Sequence, residues 1–231
     1  MQIPKVIFQT WKSEEIPEDF IPFVESWKQY NPSFIHRMWT DEMNEQFIRD
    51  HYPSFLPKYQ SYEFEIQRID AIRYFLLYHF GGVYVDLDYE CIKPITPLIG
   101  QLSCFFTLEH QLHNDFHNQQ YIASNALMGC AAGHPFMEKI LEELFQYEPY
   151  HQSRNDVVLH TTGPLMVNRV LEKYRANDVI LLDAKDVSPL SYQEAEEYIQ
   201  TKNPILKSKI DKAYCVHYHW GTWWKDSASY A

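Results

Sequence analysis

The sequence is poor in cysteine, in cationic residues and in long apolar runs, and each shortage removes a class of protein. Its four cysteines, Cys91, Cys104, Cys130 and Cys215, lie far apart, with no Cys-x-x-Cys pair to hold zinc and no dense framework of the kind that braces small secreted domains. They read as reduced core thiols. Lys and Arg number 20 against 31 Asp and Glu, and the formal charge of -11 repels nucleic acid and anionic lipid. No stretch approaches the roughly 20 apolar residues of a membrane-spanning helix. The opening MQIPKVIFQTWKSEE has too short an apolar run for a signal peptide. No asparagine starts a usable glycosylation pattern, since Asn31 is followed by proline. No internal repeat and no low-complexity segment is present. These absences lead to the expectation of a soluble, cytoplasmic protein that does not bind nucleic acid.

What is there is globular. With 231 residues, 45% hydrophobic and 22% charged, the chain suits one domain over 1–231 with a sizeable core. KVIFQTW (5–11) and FIHRMW (34–39) read as strands, separated by VESWKQY (24–30) and a turn at Asn31 and Pro32. Thr40 or Asp41 caps a helix through about residue 51. From Glu63 to Phe80, apolar residues at Ile66, Ile69, Ile72, Leu76, Leu77 and Phe80 follow the spacing of a helix buried on one face, and Gly81 and Gly82 stop it. A strand over Val83 to Asp88 follows at once, so helix feeds strand through a tight turn, the grammar of an α/β fold. Later come CFFTLE (104–109), ASNALMG (123–129), helices over Pro135–Tyr147 and Gly163–Tyr174, VILLD (179–183) and a last strand, AYCVHYHW (213–220). The polar HQLHNDFHNQQ (110–120) reads as a surface loop whose histidines lack a ligand spacing.

The chemistry concentrates in GGVYVDLDYECIKP (81–94). If the strand runs to Asp88, Tyr84, Asp86 and Asp88 share a face. The two aspartates then stand roughly 6.5 Å apart, near enough to repel unless a cation relieves them. Upstream, Asp70 and Arg73 are three apart and so neighbours on one helical face. A charged pair on a helix, a Gly-Gly stop and an Asp-x-Asp at a strand end place acids and an arginine where α/β sheets bind nucleotides.

At these residues the sequence resembles a known family, the DXD-motif glycosyltransferases of the sugar-binding-region type, which include yeast initiation and inositolphosphoceramide mannosyltransferases and bacterial capsule enzymes. IPKVIFQTWK (3–12) is similar to the family's IPKIIHQTWK, SWKQYNPSFIHRMWTD (26–41) to its W-x-x-x-N-P-x-[FY] block, and RIDAIRYFLLYHFGGVYVDLDYECIKP (68–94) to its central signature. The tail CVHYHWGTWW is similar to the family's histidine and Gly-Ser-Trp ending, with a different histidine spacing. The resemblance implies a GT-A fold, α/β with a mixed, mainly parallel sheet flanked by helices. It also implies a UDP- or GDP-sugar donor, a divalent cation (Mn²⁺, or Mg²⁺) and hexose transfer with retention at the anomeric carbon.

By the same resemblance, Asp86 and Asp88 hold the metal, and His217 or His219 completes its coordination; Gly221 in register with the family's glycine favours His217. Asp70 and Arg73 grip the donor sugar and phosphate, Trp11 stacks on the base, and Gln9, Thr10, Tyr84 and Trp223 add donor contacts. Asn125 stands near the transferred sugar, as a third catalytic candidate beside Asp70 and Arg73. HTTGP (160–164) is similar to a TGP element that borders the acceptor pocket, and Trp220 and Trp224 are further stacking candidates. Bacterial members of this length build surface polysaccharide, which implies a saccharide or lipid-linked acceptor and leaves room for peripheral contact with the inner face of a membrane. Two other readings use paired aspartates. One is a metal-dependent phosphohydrolase or nucleotidyltransferase; haloacid-dehalogenase-like enzymes place D-x-D-x-[TV] on their first strand, whereas DLDYE here comes after residue 80 and has Glu90 in fifth place. A non-catalytic nucleotide-sugar-binding module would have less use for Asp70 and Arg73.

Overall fold

The computed structural model describes residues 2–146 and 153–221. The first half runs β1 (Val6–Thr10), α1 (Ile21–Tyr30), β2 (Ile35–Trp39), α2 (Asp41–His51), α3 (Leu56–Ser61), α4 (Glu65–Phe80), β3 (Gly82–Val85) and β4 (Tyr89–Cys91). There follow α5 (Thr96–Ile99), β5 (Cys104–Leu108), α6 (Gln111–Phe116), β6 (Ala123–Cys130), α7 (Pro135–Gln146), α8 (Arg154–Thr161) and α9 (Pro164–Lys173). The last described elements are β7 (Ile180–Leu182), α10 (Ala184–Val187), α11 (Tyr192–Thr201), α12 (Pro204–Lys212) and β8 (Cys215–His217). Among the described residues no helix is long and apolar enough to cross a membrane.

Six strands form one sheet in the order β2-β1-β3-β6-β5-β7, and β4 and β8 form a second, two-stranded one. β1 pairs parallel with β2 and β3, and β5 with β7, while β6 runs antiparallel to both β3 and β5. Strand alternation sends side chains to two cores. Phe8, Tyr84, Phe106 and Met128 meet α4, α7 and α9 through Phe75, Leu76, Phe136, Ile140 and Met166. Ile7, Val83, Val85, Phe105 and Leu127 meet Trp27, Ile95 and Val187 on the other face. The helices therefore cover both faces of a mostly parallel arrangement, as α/β layering requires.

The junction that positions the site is Gly81-Gly82. Gly81 caps α4 with φ 65°, its N–H bonded to Leu77 O at 2.8 Å, and Gly82 has φ 110°. A Cβ on Gly82 would lie 2.7 Å from Val6 O, so only glycine admits the close parallel pairing with β1.

The strand expected over Val83 to Asp88 ends at Val85. Asp86 N–H still bonds Ala126 O at 2.9 Å, then Tyr89 N–H turns back onto Asp86 O at 3.2 Å, and the chain leaves β6 to pair with β8. The expected strand over 213–220 is likewise cut to Cys215–His217, because His219 takes the left-handed conformation with φ 52°. The expected surface loop at 110–120 contains α6, capped by the His110 side chain, which accepts the Leu112 N–H at 3.3 Å. The helix expected over Pro135–Tyr147 is described to Gln146, and Tyr147, Trp223 and Trp224 lie outside the described residues.

Candidate active site

Asp70 and Arg73 project from one turn of α4 into the region beyond the ends of β1 and β3. They are 5% and 3% exposed, and charges so deeply placed must be paired and hydrogen-bonded. Arg73 meets Asp70 Oδ1 at 3.1 Å and Asp86 Oδ1 at 3.4 Å, donates to Asn125 O at 2.9 Å and Ile69 O at 3.3 Å, and lies 4.6 Å over the Tyr84 ring. Asp70 in turn accepts from Asn125 Nδ2 at 3.0 Å and Thr162 Oγ1 at 3.1 Å. A chain of hydroxyls runs from Thr10 through Tyr84 to Asp86, each contact 2.9 Å. Helix α4, strands β1, β3 and β6 and the α8–α9 link thus converge on one polar network in which Arg73 bridges both acids.

The aspartate pair stands at its edge. Tyr84 and Asp86 keep the shared face that strand alternation predicts. Asp88 reaches the site through the turn, where its main-chain oxygen accepts from Tyr218 N–H at 3.0 Å and its Oδ2 from Trp220 N–H at 2.9 Å. The β4–β8 ladder supplies the third group: Tyr89 and His217 are register partners, their rings stacked at 4.3 Å, and His217 Nε2 lies 3.2 Å from Asp88 Oδ1.

One ligand atom from each of Asp86, Asp88 and His217 falls within 4.8 Å of the others. The Asp86 and Asp88 side chains remain 27% and 14% exposed, which leaves the group open on one side. His217 Nδ1 is buried without a hydrogen-bond partner. Two carboxylates and an imidazole so placed fit a divalent cation that takes oxygen ligands and tolerates one nitrogen.

The electrostatics separate these acids. Burial lifts the pKa of Asp86, and Asp88 adds to the rise while Arg73 opposes it. Burial also opposes ionisation of Asp88, but His217 and the Trp220 N–H outweigh it and hold that carboxyl below its usual range. Burial raises Asp70 to about 6 in spite of Arg73. Burial disfavours the His217 imidazolium, yet Asp88 beside it raises the ring above its ordinary value. Such divided pKa values mark sites built for charge.

Of the residues singled out in the sequence, Asp70, Arg73, Asn125, Thr10, Tyr84, Asp86, Asp88 and His217 are brought together. Gln9 is buried at the end of β1, with its Nε2 unpartnered. Trp11 follows β1, half-buried, packed at 5.4 Å on Phe20, and Trp220 packs on Phe20 and Phe23. His219 goes to a different cluster: with Glu109 and His113 it offers three ligand atoms within 4.8 Å, while its ring lies 3.9 Å from that of His217. Sequence reading missed Glu109, His113 and the Thr162 hydroxyl. Glu109 and His113 stand four apart, a spacing that marks them as neighbours only once α6 is recognised as a helix. Thr162 sits in HTTGP, and its hydroxyl donates to Asp70 Oδ2 at 3.1 Å.

Comparison with known proteins bears on the same residues. Positions 17–105 match the family described as glycosyltransferase sugar-binding region containing DXD motif. The chain is 34% identical over 225 residues to inositol phosphoceramide mannosyltransferase 3 of Schizosaccharomyces pombe, covering 97% of this chain and 56% of that one. It is 36% identical over 173 residues to mannosyl phosphorylinositol ceramide synthase SUR1 of Saccharomyces cerevisiae, covering 75% of this chain and 43% of that one. It thus spans about half the length of the curated relatives it matches. Among solved structures, PaToxG glycosyltransferase superposes with a TM-score of 0.51 at 18% identity, over 91% of this chain and 77% of that one. The shared fold is that of the GT-A glycosyltransferases.

Proposed function

We propose that this chain, whose residues 17–105 match the DXD-containing sugar-binding-region glycosyltransferases, transfers a hexose from a nucleotide sugar to a saccharide or glycolipid acceptor. The named relatives make mannose the favoured sugar. The observation that carries this reading is the convergence of Asp86, Asp88 and His217 beside the buried Asp70–Arg73–Asn125 network.

Asp86, Asp88 and His217 would hold a divalent cation, with the one imidazole ligand favouring Mn²⁺, and when bound it would supply Lewis-acid stabilisation to the departing diphosphate. Asp70 accepts hydrogen bonds from sugar hydroxyls in its ionised form, its two oxygens oriented by Asn125 and Thr162. Arg73 keeps Asp70 and Asp86 charged side by side and offers a planar cation to donor oxygens. Trp11 stacks on the base, and Gln9 and Thr10 line the strand end beneath it. Retention follows a front-face route in which the leaving phosphate takes the acceptor proton. Cytoplasmic work at the inner membrane face belongs to the same reading.

The test is hydrolysis without acceptor across UDP-glucose, UDP-galactose, UDP-N-acetylhexosamines and GDP-mannose. Turnover of one sugar nucleotide, GDP-mannose before the others, is expected. Tight binding of a donor with no turnover of any would instead make the chain a non-catalytic module.

A further inference from the structure

We propose that Glu109, His113 and His219 form a second metal site, selective for a borderline ion of the Zn²⁺ type and separate from the aspartate site. Three elements build it. Glu109 follows the last residue of β5, His113 lies four residues on in α6, and His219 follows β8. His113 and His219 are 5% and 3% exposed, and the Glu109 side chain 13%. One ligand atom from each lies within 4.8 Å of the other two.

The decisive atom is His219 Nε2, buried and without a hydrogen-bond partner. A polar nitrogen left so is costly unless something takes its lone pair. Around the His219 ring, centroid to centroid, lie the rings of His113 at 5.0 Å, Tyr192 at 4.5 Å and His217 at 3.9 Å, none of them hydrogen-bonded to Nε2. A cation between His219 and Glu109 satisfies that nitrogen.

His113 shows how the site is held without an ion. Its Nδ1 is 2.9 Å from Glu109 Oε2, and its Nε2 accepts the Tyr192 N–H at 3.3 Å, so Nδ1 carries the ring proton and donates to the carboxylate. A metal at Nδ1 takes the place of that proton, and the ring then carries one on Nε2. The long bond from Tyr192 is given up; that amide is the first of α11, where helices leave donors without an intrahelical acceptor.

Two imidazoles and one carboxylate are a zinc donor set that leaves a fourth position open. The two-carboxylate, one-imidazole set at Asp86, Asp88 and His217 is richer in oxygen and suits Mg²⁺ or Mn²⁺. The ligand sets share no residue. An ion in the second site ties the end of β5 and α6 to the segment after β8, two residues beyond His217.

The test is a Zn²⁺ titration of the chelator-stripped protein against a chromogenic competitor, with saturating Mg²⁺ present to fill the aspartate site. One tightly bound Zn²⁺ per chain is expected, kept in Asp88→Asn and weakened about tenfold or more in Glu109→Gln and in His113→Phe. Phenylalanine keeps the ring packed on Tyr192, and circular dichroism checks that each variant folds. Any other pattern, including no tight Zn²⁺ in the wild type, overturns the second site. X-ray absorption of the Zn²⁺-loaded wild type decides independently of the variants: two imidazoles around the ion support the proposal, and one assigns it to the aspartates and refutes it.

Discussion

Replacing Arg73 with methionine removes the group that, among the described residues, bridges both acids. The guanidinium serves Asp70 at 3.1 Å, Asp86 at 3.4 Å, Asn125 O at 2.9 Å and Ile69 O at 3.3 Å, all from a position 3% exposed. Methionine keeps much of the stem and none of the donors. Removing one member of a buried ion pair costs about 3–5 kcal/mol, because the remaining charge has no counterpart. The Asn125 carbonyl also loses its donor, about 1–3 kcal/mol taken by itself, whereas Asp70 keeps Asn125 Nδ2 and Thr162 as donors and is only partly orphaned, so about 4 kcal/mol in all is expected. The sign of the pH dependence follows from Asp70, whose pKa burial lifts to about 6 even with Arg73 present. A carboxyl raised in the folded state binds more protons there than in the unfolded chain, so stability falls as pH rises between the unfolded value, about 3.9, and the folded one. Losing Arg73 extends that window upward. The deficit relative to wild type is therefore largest near about pH 8 and shrinks towards about pH 5, where both proteins hold the proton. At a urea slope of about 3 kcal/mol/M, a loss of 4 kcal/mol moves the midpoint by about 1.3 M. Urea denaturation followed by circular dichroism at both pH values measures it. A deficit under about 1 kcal/mol, or one equal at both pH values, would show that Arg73 does not hold the two carboxylates charged.

Three further outcomes follow from the same geometry. Donor kcat/KM should decline about tenfold per pH unit below about 6, as the Asp70 carboxyl protonates; a profile in Asp70→Asn with the same acid limb would remove Asp70 as its source. Trp11→Ala should weaken donor affinity with little change in melting temperature, because the ring is only half-buried, and an unchanged calorimetric affinity would refute the stacking role. Gly82→Ala should destabilise the fold by about 1–3 kcal/mol or more, since φ is 110° and the new Cβ meets Val6 O at 2.7 Å; thermal melting that matches wild type would contradict the tight β1–β3 pairing.

The local signals in the sequence were sound where the structure is local. The three-residue spacing of Asp70 and Arg73, the Gly-Gly stop and the shared face of Tyr84 and Asp86 all appear in the site. What sequence could not show depends on partners far along the chain. The strand ends at Val85 because Tyr89 to Cys91 are claimed by Cys215 to His217, and no periodicity announces that pairing. The same ladder chooses His217 for Asp88, while a left-handed residue at 219 turns the second histidine towards α6. Residues 110–120 looked like a polar loop since His113 is buried by contacts with Tyr192 and His219, both distant in sequence. Helix α11 has a local signal of its own: Ser191 and Glu194 form a capping box, the Ser-x-x-Glu signature of a helix start.

The central claim is that Asp86, Asp88 and His217 grip a divalent cation that sugar-nucleotide turnover requires. It is tested most directly by assaying donor hydrolysis against added Mn²⁺ in the wild type, Asp88→Asn and His217→Ala. Saturable Mn²⁺ dependence in the wild type, lost in Asp88→Asn and right-shifted in His217→Ala, is the expected result. Turnover that survives EDTA, or that Asp88→Asn leaves undiminished, would contradict it.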